Sequence, residues 1–199
     1  MEKEKMLVQN MNQHFIFNAL NVIKYAAVTD PRKACRVVDN FSDYLRYQLN
    51  AFDKGEAVCF REEIDNVKAY AEIQMLRFEK LHMNYQLEEE NFFIPPLTVF
   101  PVVENAISHG ICKKEDDGTV TIHSFRNEDA FVIEVEDDGA GFDQFCQEKF
   151  SNVFGGINHI RGRLETLMEG ELVITSFVNL GTKVRISIPI ANGIQRKYR

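Results

Sequence analysis

In the stretch MNQHFIFNALNVI, residues 11–23, one histidine stands among apolar residues at helical spacing. At about 100° per residue, Asn10, His14, Asn18, Asn21 and Tyr25 share a polar stripe roughly 80° wide. Phe15, Ala19, Val22 and Ala26, with the neighbouring row Ile16, Leu20, Ile23 and Ala27, form an apolar face of about 160°. An imidazole so placed can act as a nucleophile; a histidine satisfied within a bundle fits the same pattern. A second stretch, EDDGAGFD at residues 136–143, directly follows the apolar AFVIEV. Its alternating Gly139 and Gly141 let backbone approach a flat or phosphorylated ligand. The carboxylate of Asp137 can accept a hydrogen bond from an exocyclic amine. The same residue types also make a plain turn. In VVENAISHG, residues 102–110, Glu104, Asn105 and Ser108 interrupt an apolar helix. The side-chain oxygen of Asn105 suits a magnesium ion that also binds phosphates and keeps several waters, or else a polar group satisfied in the core. FGGINHIRGRL at 154–164 and LGTKV at 180–184 bring Gly156 and Gly181. Glycines ahead of a helix N-terminus present free N–H groups to phosphate. The preceding QFCQEKFSNV, residues 144–153, is long enough for a lid, while Arg161 and Arg163 either touch phosphate or solvate a helix face.

The elements that must position these residues follow from periodicity. A first helix is predicted over about residues 2–27, and Asp30 then serves as N-cap with Pro31 at the first position of a second helix. Ala34, Val38, Phe41 and Leu45 recur along that second helix at apolar spacing. Two long antiparallel helices with such broad apolar faces cannot bury them alone, so self-association into a four-helix bundle is expected. NAFDKGEA breaks the pattern and sets a domain boundary near residue 55. A third helix runs from Arg61 to about Lys80, after which HMNYQLEE alternates as a strand. A helix carrying VFPVVENAISHGI, the strand pair TVTIHSF and AFVIEVED joined by RNED, a helix from about Gly156 to Met168, and the strands ELVITSF and KVRISIPI complete an α+β domain. The chain thus divides into 1–55, 56–192 and a frayed basic tail, 193–199.

With 199 residues, 45% hydrophobic and 27% charged, the composition is that of an ordinary globular protein with room for a sizeable core. There is no apolar run of the roughly eighteen residues that a membrane span requires, and no signal-peptide pattern. The chain reads as soluble and cytoplasmic, with any membrane segment upstream of it. A net charge of -7 with scattered Lys and Arg leaves no footprint for a nucleic-acid backbone. Cys35, Cys59, Cys112 and Cys146 lack zinc or redox spacing and read as free thiols.

Taken in order, these fragments resemble one family, the LytS-type bacterial sensor histidine kinases. QHFIFNALN resembles the phosphoacceptor motif, LRYQL the end of the second helix, and EEIDNVKAYAEIQMLRF the segment after it. IPPLTVFPVVENAISHG resembles the N box, DDGAGF the first glycine box, and GGINHIRGRL with GTKVRISIPI the second. The resemblance covers nearly the whole chain. It implies a dimerisation and phosphoacceptor hairpin followed by a Bergerat-type α/β sandwich with a mixed, mainly antiparallel sheet. It further implies ATP between the N-box helix and the lid, with Asp137 reading adenine, Asn105 holding magnesium, Gly139 and Gly141 shaping the adenine pocket, and Thr182 backing it. Gly156 and Gly181 fall in the second glycine box. His14 becomes the nucleophile, and an ordinary imidazole is largely neutral and competent at pH 7. Asp39, Asp43 or Glu104 is the candidate acceptor of its second ring proton, and Asn18, one turn on, the residue that orients the ring or a hydrolytic water. The implied partners are a second copy, through the N-terminal helices, and a response-regulator receiver domain.

Two departures from the family pattern stand out. Gln13 replaces the usual proline and removes a helix kink. In the second glycine box Phe154, Gly155, Gly156, Ile157 and His159 fill places where a glycine and an asparagine are changed, which is expected to weaken ATP binding. The leading reading is therefore a protein-histidine kinase using ATP and magnesium. Its alternative is a catalytically weak or inactive dimerisation and docking module. A water-using Bergerat ATPase is disfavoured because Pro101, one turn before Asn105, stands where such relatives place a glutamate.

Overall fold

The computed structural model describes residues 13–51, 57–143 and 147–194, with side chains in the last stretch described from Ile157 onward. Helix α1, Gln13–Thr29, and helix α2, Pro31–Asn50, form the expected hairpin. Asp30 Oδ1 accepts hydrogen bonds from the backbone N–H groups of Arg32 and Lys33, both at 3.1 Å, so the cap and Pro31 together start α2 where the sequence predicts. The part of the first predicted helix before Gln13, and the predicted boundary near residue 55, lie outside the described residues.

After a short strand β1, Val58–Cys59, helix α3 spans Phe60–Met75, ending sooner than Lys80. Strand β2, Leu81–Leu87, follows, and β3, Phe93–Ile94, pairs with β1. Helix α4 begins as α-helix at Phe100–Asn105, widens into a π-helical turn over Ala106–Gly110, and tightens at Ile111–Lys113. Strands β4, Gly118–Arg126, and β5, Ala130–Asp137, form the predicted hairpin. Helix α5, Gln147–Met168, then leads to β6, Glu171–Phe177, and β7, Gly181–Pro189. The five-stranded sheet has the order β2-β4-β5-β7-β6, with β2 parallel to β4 and every other pair antiparallel. A short helix, α6, Ile190–Gly193, opens the predicted tail, whose residues 195–199 lie outside the described residues.

Strand alternation decides what each face does. On β5, Phe131, Ile133, Val135 and Asp137 point into the core, whereas Glu134 and Glu136 point out. Outward, Glu134 meets Arg185 at 2.8 Å and Lys183 at 3.0 Å on the neighbouring strand. Inward, β4, β5 and β7 pack Ile122, Ile133 and Ile186 against α3, α4 and α5 through residues such as Val67, Ile107 and Leu164, all nearly free of solvent exposure. Asp137 is thereby the last member of a buried row.

The hairpin does not wait for a second chain to cover all of its apolar surface. One face, with Phe15, Ala19, Val37 and Tyr44, joins the core of the sheet domain. The ring of Phe15 lies 4.7 Å from both Tyr44 and Tyr70, and Tyr44 and Tyr70 lie 5.6 and 5.1 Å from Phe100. These edge and tilted ring contacts fasten α1 and α2 to α3 and to the head of α4. A second face stays open, with Phe17 67%, Leu20 49% and Val28 85% exposed on α1. The bundle predicted from apolar breadth therefore has one face left to build on, the other being used within the chain. Among the described residues no helix is long and apolar enough to cross a membrane.

Candidate functional site

A cavity of about 450 Å³ opens between α4, the end of β5 and the β6–β7 turn. Four of the predicted residues line it: Asn105, Asp137, Gly141 and Thr182. They come from three stretches far apart in sequence, brought together because α4 crosses the sheet where β5 and β7 end and begin.

Asp137 is 4% exposed, and its Oδ1 accepts a hydrogen bond from Gly139 N–H at 2.9 Å. Burial pushes its carboxyl up to about 6, opposed by that bond and by one from the Thr182 backbone. A carboxylate held this way keeps an oxygen for a ligand's amine while remaining largely ionised at pH 7. Gly139 is pressed against Gly110, so a side chain there would strike the helix backbone. Gly141 and Gly181 have φ of +55° and +92°, and a Cβ on Gly181 would collide with the carbonyl of Asp137. Gly139 and Gly181 thus act behind the cavity wall, supporting Asp137. Thr182 Oγ1 lies 2.9 Å from Ser176 Oγ, which also accepts from Phe142 N–H and donates to Gly181 O. The loop after β5 is stitched on both sides at Ala140, whose N–H donates to Gly110 O and whose carbonyl accepts from Asn179 N–H.

Along α4, Val102, Asn105, Ala106, His109 and Lys113 face the cavity, while Phe100, Glu104 and Ser108 face the hairpin side. The two rows lie on roughly opposite sides of the helix. The π-helical turn sits at this wall, a common place for such turns to serve a function. Burial raises the phenols of Tyr44 and Tyr70, and the charge of Glu104, a residue expected near the reacting groups, is directed at both rings and raises them further. Glu104 does not line the cavity. Nor do His14 and Asn18. His14 is exposed on α1, and Asn18 Nδ2 lies 3.0 Å from its Nδ1 and 3.1 Å from its Nε2, so the amide sits close enough to fix the ring.

Gly156 requires a correction. The predicted helix start at this glycine is displaced to Gln147, so Gly155 and Gly156 fall inside α5 and most of the predicted lid, from Gln147 onward, is helical. The glycine pair suggested a helix end because glycine is costly in helix interiors, and α5 runs through it. Arg163 is likewise removed from the phosphate candidates: its Nη1 donates to Pro96 O at 2.8 Å. The sequence reading passed over His109, Lys113, Phe142 and Asn179, all of which line the cavity. His109 was legible as the residue one turn beyond Asn105. Burial and the Lys113 charge lower its pKa, so it faces the cavity as a neutral imidazole.

Comparisons with known proteins bear on the family and the fold. Residues 2–81 match the family described as histidine kinase, and residues 97–192 the family of histidine kinase-, DNA gyrase B-, and HSP90-like ATPases. The chain is similar to the sensor histidine kinase YpdA of Escherichia coli, with 35% identity over 92% of this chain and 33% of that protein. It is also similar to the sensor protein LytS of Bacillus anthracis, with 30% identity over 93% of this chain and 33% of that protein. The chain spans a third of the length of these two sensors. The histidine kinase domain of the Erythrobacter litoralis blue-light activated kinase EL346 shares the fold, with a TM-score of 0.56 and 17% identity over 92% of this chain and 98% of that one.

Proposed function

Since this chain belongs to the LytS-type histidine kinases, we propose that it phosphorylates its own His14 from ATP with magnesium and passes the phosphoryl group to an aspartate of a response regulator. The observation that carries this is the single cavity in which Asn105, Asp137, Gly141 and Thr182 meet. Asp137 would accept the adenine amine, with Gly139 and Gly181 holding it in place. Gly156 is not assigned a phosphate contact.

The donor set fits magnesium of one kind. Among the described residues no cluster of three or more His, Cys, Asp or Glu could cage a metal ion, whereas Asn105 offers one neutral oxygen at the cavity wall. That suits an ion held mainly by substrate phosphates and water. When bound, magnesium supplies neutralisation of phosphate charge. A ring nitrogen of His14 uses its lone pair to form the N–P bond as the bond from the terminal phosphorus to the bridging oxygen breaks, and ADP leaves with that electron pair. Asn18 holds the ring while the other ring nitrogen gives its proton to a base, for which Asp39, Asp43 and Glu104 remain the candidates. Catalysis is then mainly positioning and electrostatics. The open face of α1, with Phe17, Leu20 and Val28, is the surface on which two copies would associate, and such a dimer would be the cytoplasmic part of a sensor.

Incubation with γ-labelled ATP and magnesium is expected to give a protein label that is labile in acid and stable in base. A catalytically inactive docking module would show no nucleotide binding even at millimolar concentration. The pH dependence is a further expected outcome. Because Asp137 binds its proton at about pH 6, nucleotide affinity falls as the pH is lowered, by about tenfold between pH 7 and pH 5 if only the ionised form binds. Stability moves the other way: the native state takes up this proton before the unfolded chain does, so the cost of burying the charge is relieved as pH falls from 6 towards 4. Calorimetric titration across that range, with Asp137→Asn as the pH-insensitive reference, measures the affinity slope.

A further inference from the structure

Glu63 is a fully buried carboxylate on α3 that the reaction above does not use. Its Oε1 accepts from the backbone N–H groups of Val99 and Phe100, at 2.5 and 3.1 Å, at the head of α4. The residue before α4 makes no side-chain cap, so Glu63 supplies one from another helix. Its Oε2 accepts from the hydroxyl of Tyr47 on α2, at 3.0 Å. Arg163 of α5, anchored on Pro96 O, lies near enough for its charge to act on both Glu63 and Tyr47. One carboxylate therefore joins the hairpin, the head of the helix that carries Asn105, and the helix that carries Gly156.

Filling space does not require a charge. A buried carboxylate is costly unless donors surround it, and removing one donor leaves it undersatisfied. Here burial raises the Glu63 carboxyl while the Phe100, Val99 and Tyr47 donors pull it back. The Tyr47 donor belongs to the hairpin, so the state of Glu63 depends on whether the hairpin is docked. Asn105 is only about one and a half turns beyond Phe100, so a shift at the head of α4 reaches it with little room to be absorbed. The polar side of this contact is also not saturated: among the described residues, Gln48 Nε2 on α2 and both amide atoms of Asn66, on the same face of α3 as Glu63 and Tyr70, are buried without a hydrogen-bond partner. That is the character of a contact that can be remade.

We propose that Glu63 is a positioning residue that, through Tyr47, makes the placement of Asn105 depend on hairpin docking, so that docking and magnesium-nucleotide affinity are coupled. The inference rests on the ATP site proposed above. Coupling of this kind is reciprocal, so bound nucleotide strengthens docking by the same factor.

Tyr47→Phe removes one hydroxyl and keeps the ring. Titration of the full chain with a non-hydrolysable ATP analogue and magnesium is expected to give a Kd raised about three- to tenfold. Glu63→Gln should do the same, and the double variant no more than the larger single change. ADP without magnesium, held chiefly at the Asp137 end, should bind each variant as it binds the wild type. A merely structural role would lower the melting temperature of Tyr47→Phe and leave its analogue affinity at the wild-type value. That result, or an equal loss with ADP, overturns the proposal. If Glu63→Gln does not fold, Tyr47→Phe alone decides. A wild-type chain that fails to bind the analogue overturns the ATP-site reading itself and this inference with it.

Discussion

Replacement of His14 by glutamine is expected to reduce acid-labile labelling from γ-labelled ATP to background while ATP affinity stays at the wild-type value. The two readouts separate because His14 lies on the exposed face of α1 and is not among the residues lining the proposed nucleotide cavity. Glutamine keeps the helix and a polar side chain at the surface, so the fold has no reason to respond. What is lost is the ring nitrogen lone pair that would form the N–P bond, and an amide nitrogen is no substitute. The chain has five histidines, and His109 lines the cavity as a neutral imidazole. Label that persists in His14→Gln and maps to His109 would therefore move the acceptor from the hairpin to the cleft.

Asp137→Asn is expected to cost about a hundredfold in ATP affinity, corresponding to about 3 kcal/mol. The substituted amide can still accept from Gly139 N–H through its oxygen, as the carboxylate does at 2.9 Å. Its NH2 group then faces the cavity, and an adenine amine meets a donor where it needs an acceptor. The loss should come without a lowered melting temperature, because the buried carboxylate, raised to about 6, is a charge the fold holds at a cost. Equal losses of affinity and stability would instead mean that Asp137 is only a strand-end support. Titration calorimetry and thermal unfolding on the same sample distinguish the two.

The strand half of the molecule was legible because alternation is a strong local signal. AFVIEVED places Asp137 inward by parity alone, and KVRISIPI sets Lys183 and Arg185 outward opposite Glu134 and Glu136. The N-cap at Asp30 and the start of α2 were equally local. Less legible was anything decided by packing between distant elements. The apolar breadth of α1 signalled burial but not its partner, and the partner of Phe15 turned out to include Tyr70 and Phe100. Glu104 and Asn105 are neighbours in sequence, yet successive helical positions point about 100° apart, so only Asn105 joins the cavity. Gly155 and Gly156 misled because intrinsic propensity marks them as a helix end, and α5 continues through both. Glu63 carried no signal as a link, since two acidic residues, Glu62 and Glu63, in the first turn of a helix fit an ordinary surface helix.

The docked hairpin bears on regulation. Phe15, adjacent to His14, is 1% exposed and packed on the far side of α4 from the cavity-lining row. On the proposed coupling, loosening this contact would change at once how His14 is presented and, through Tyr47 and Glu63, how the head of α4 is held.

The most direct measurement is a crystal structure of the full chain with a non-hydrolysable ATP analogue and magnesium. The expected result has the adenine amine within hydrogen-bond distance of the Asp137 carboxylate and the metal on Asn105 Oδ1. Nucleotide bound elsewhere, or a cleft closed by the protein's own side chains at saturating ligand, would contradict the kinase reading.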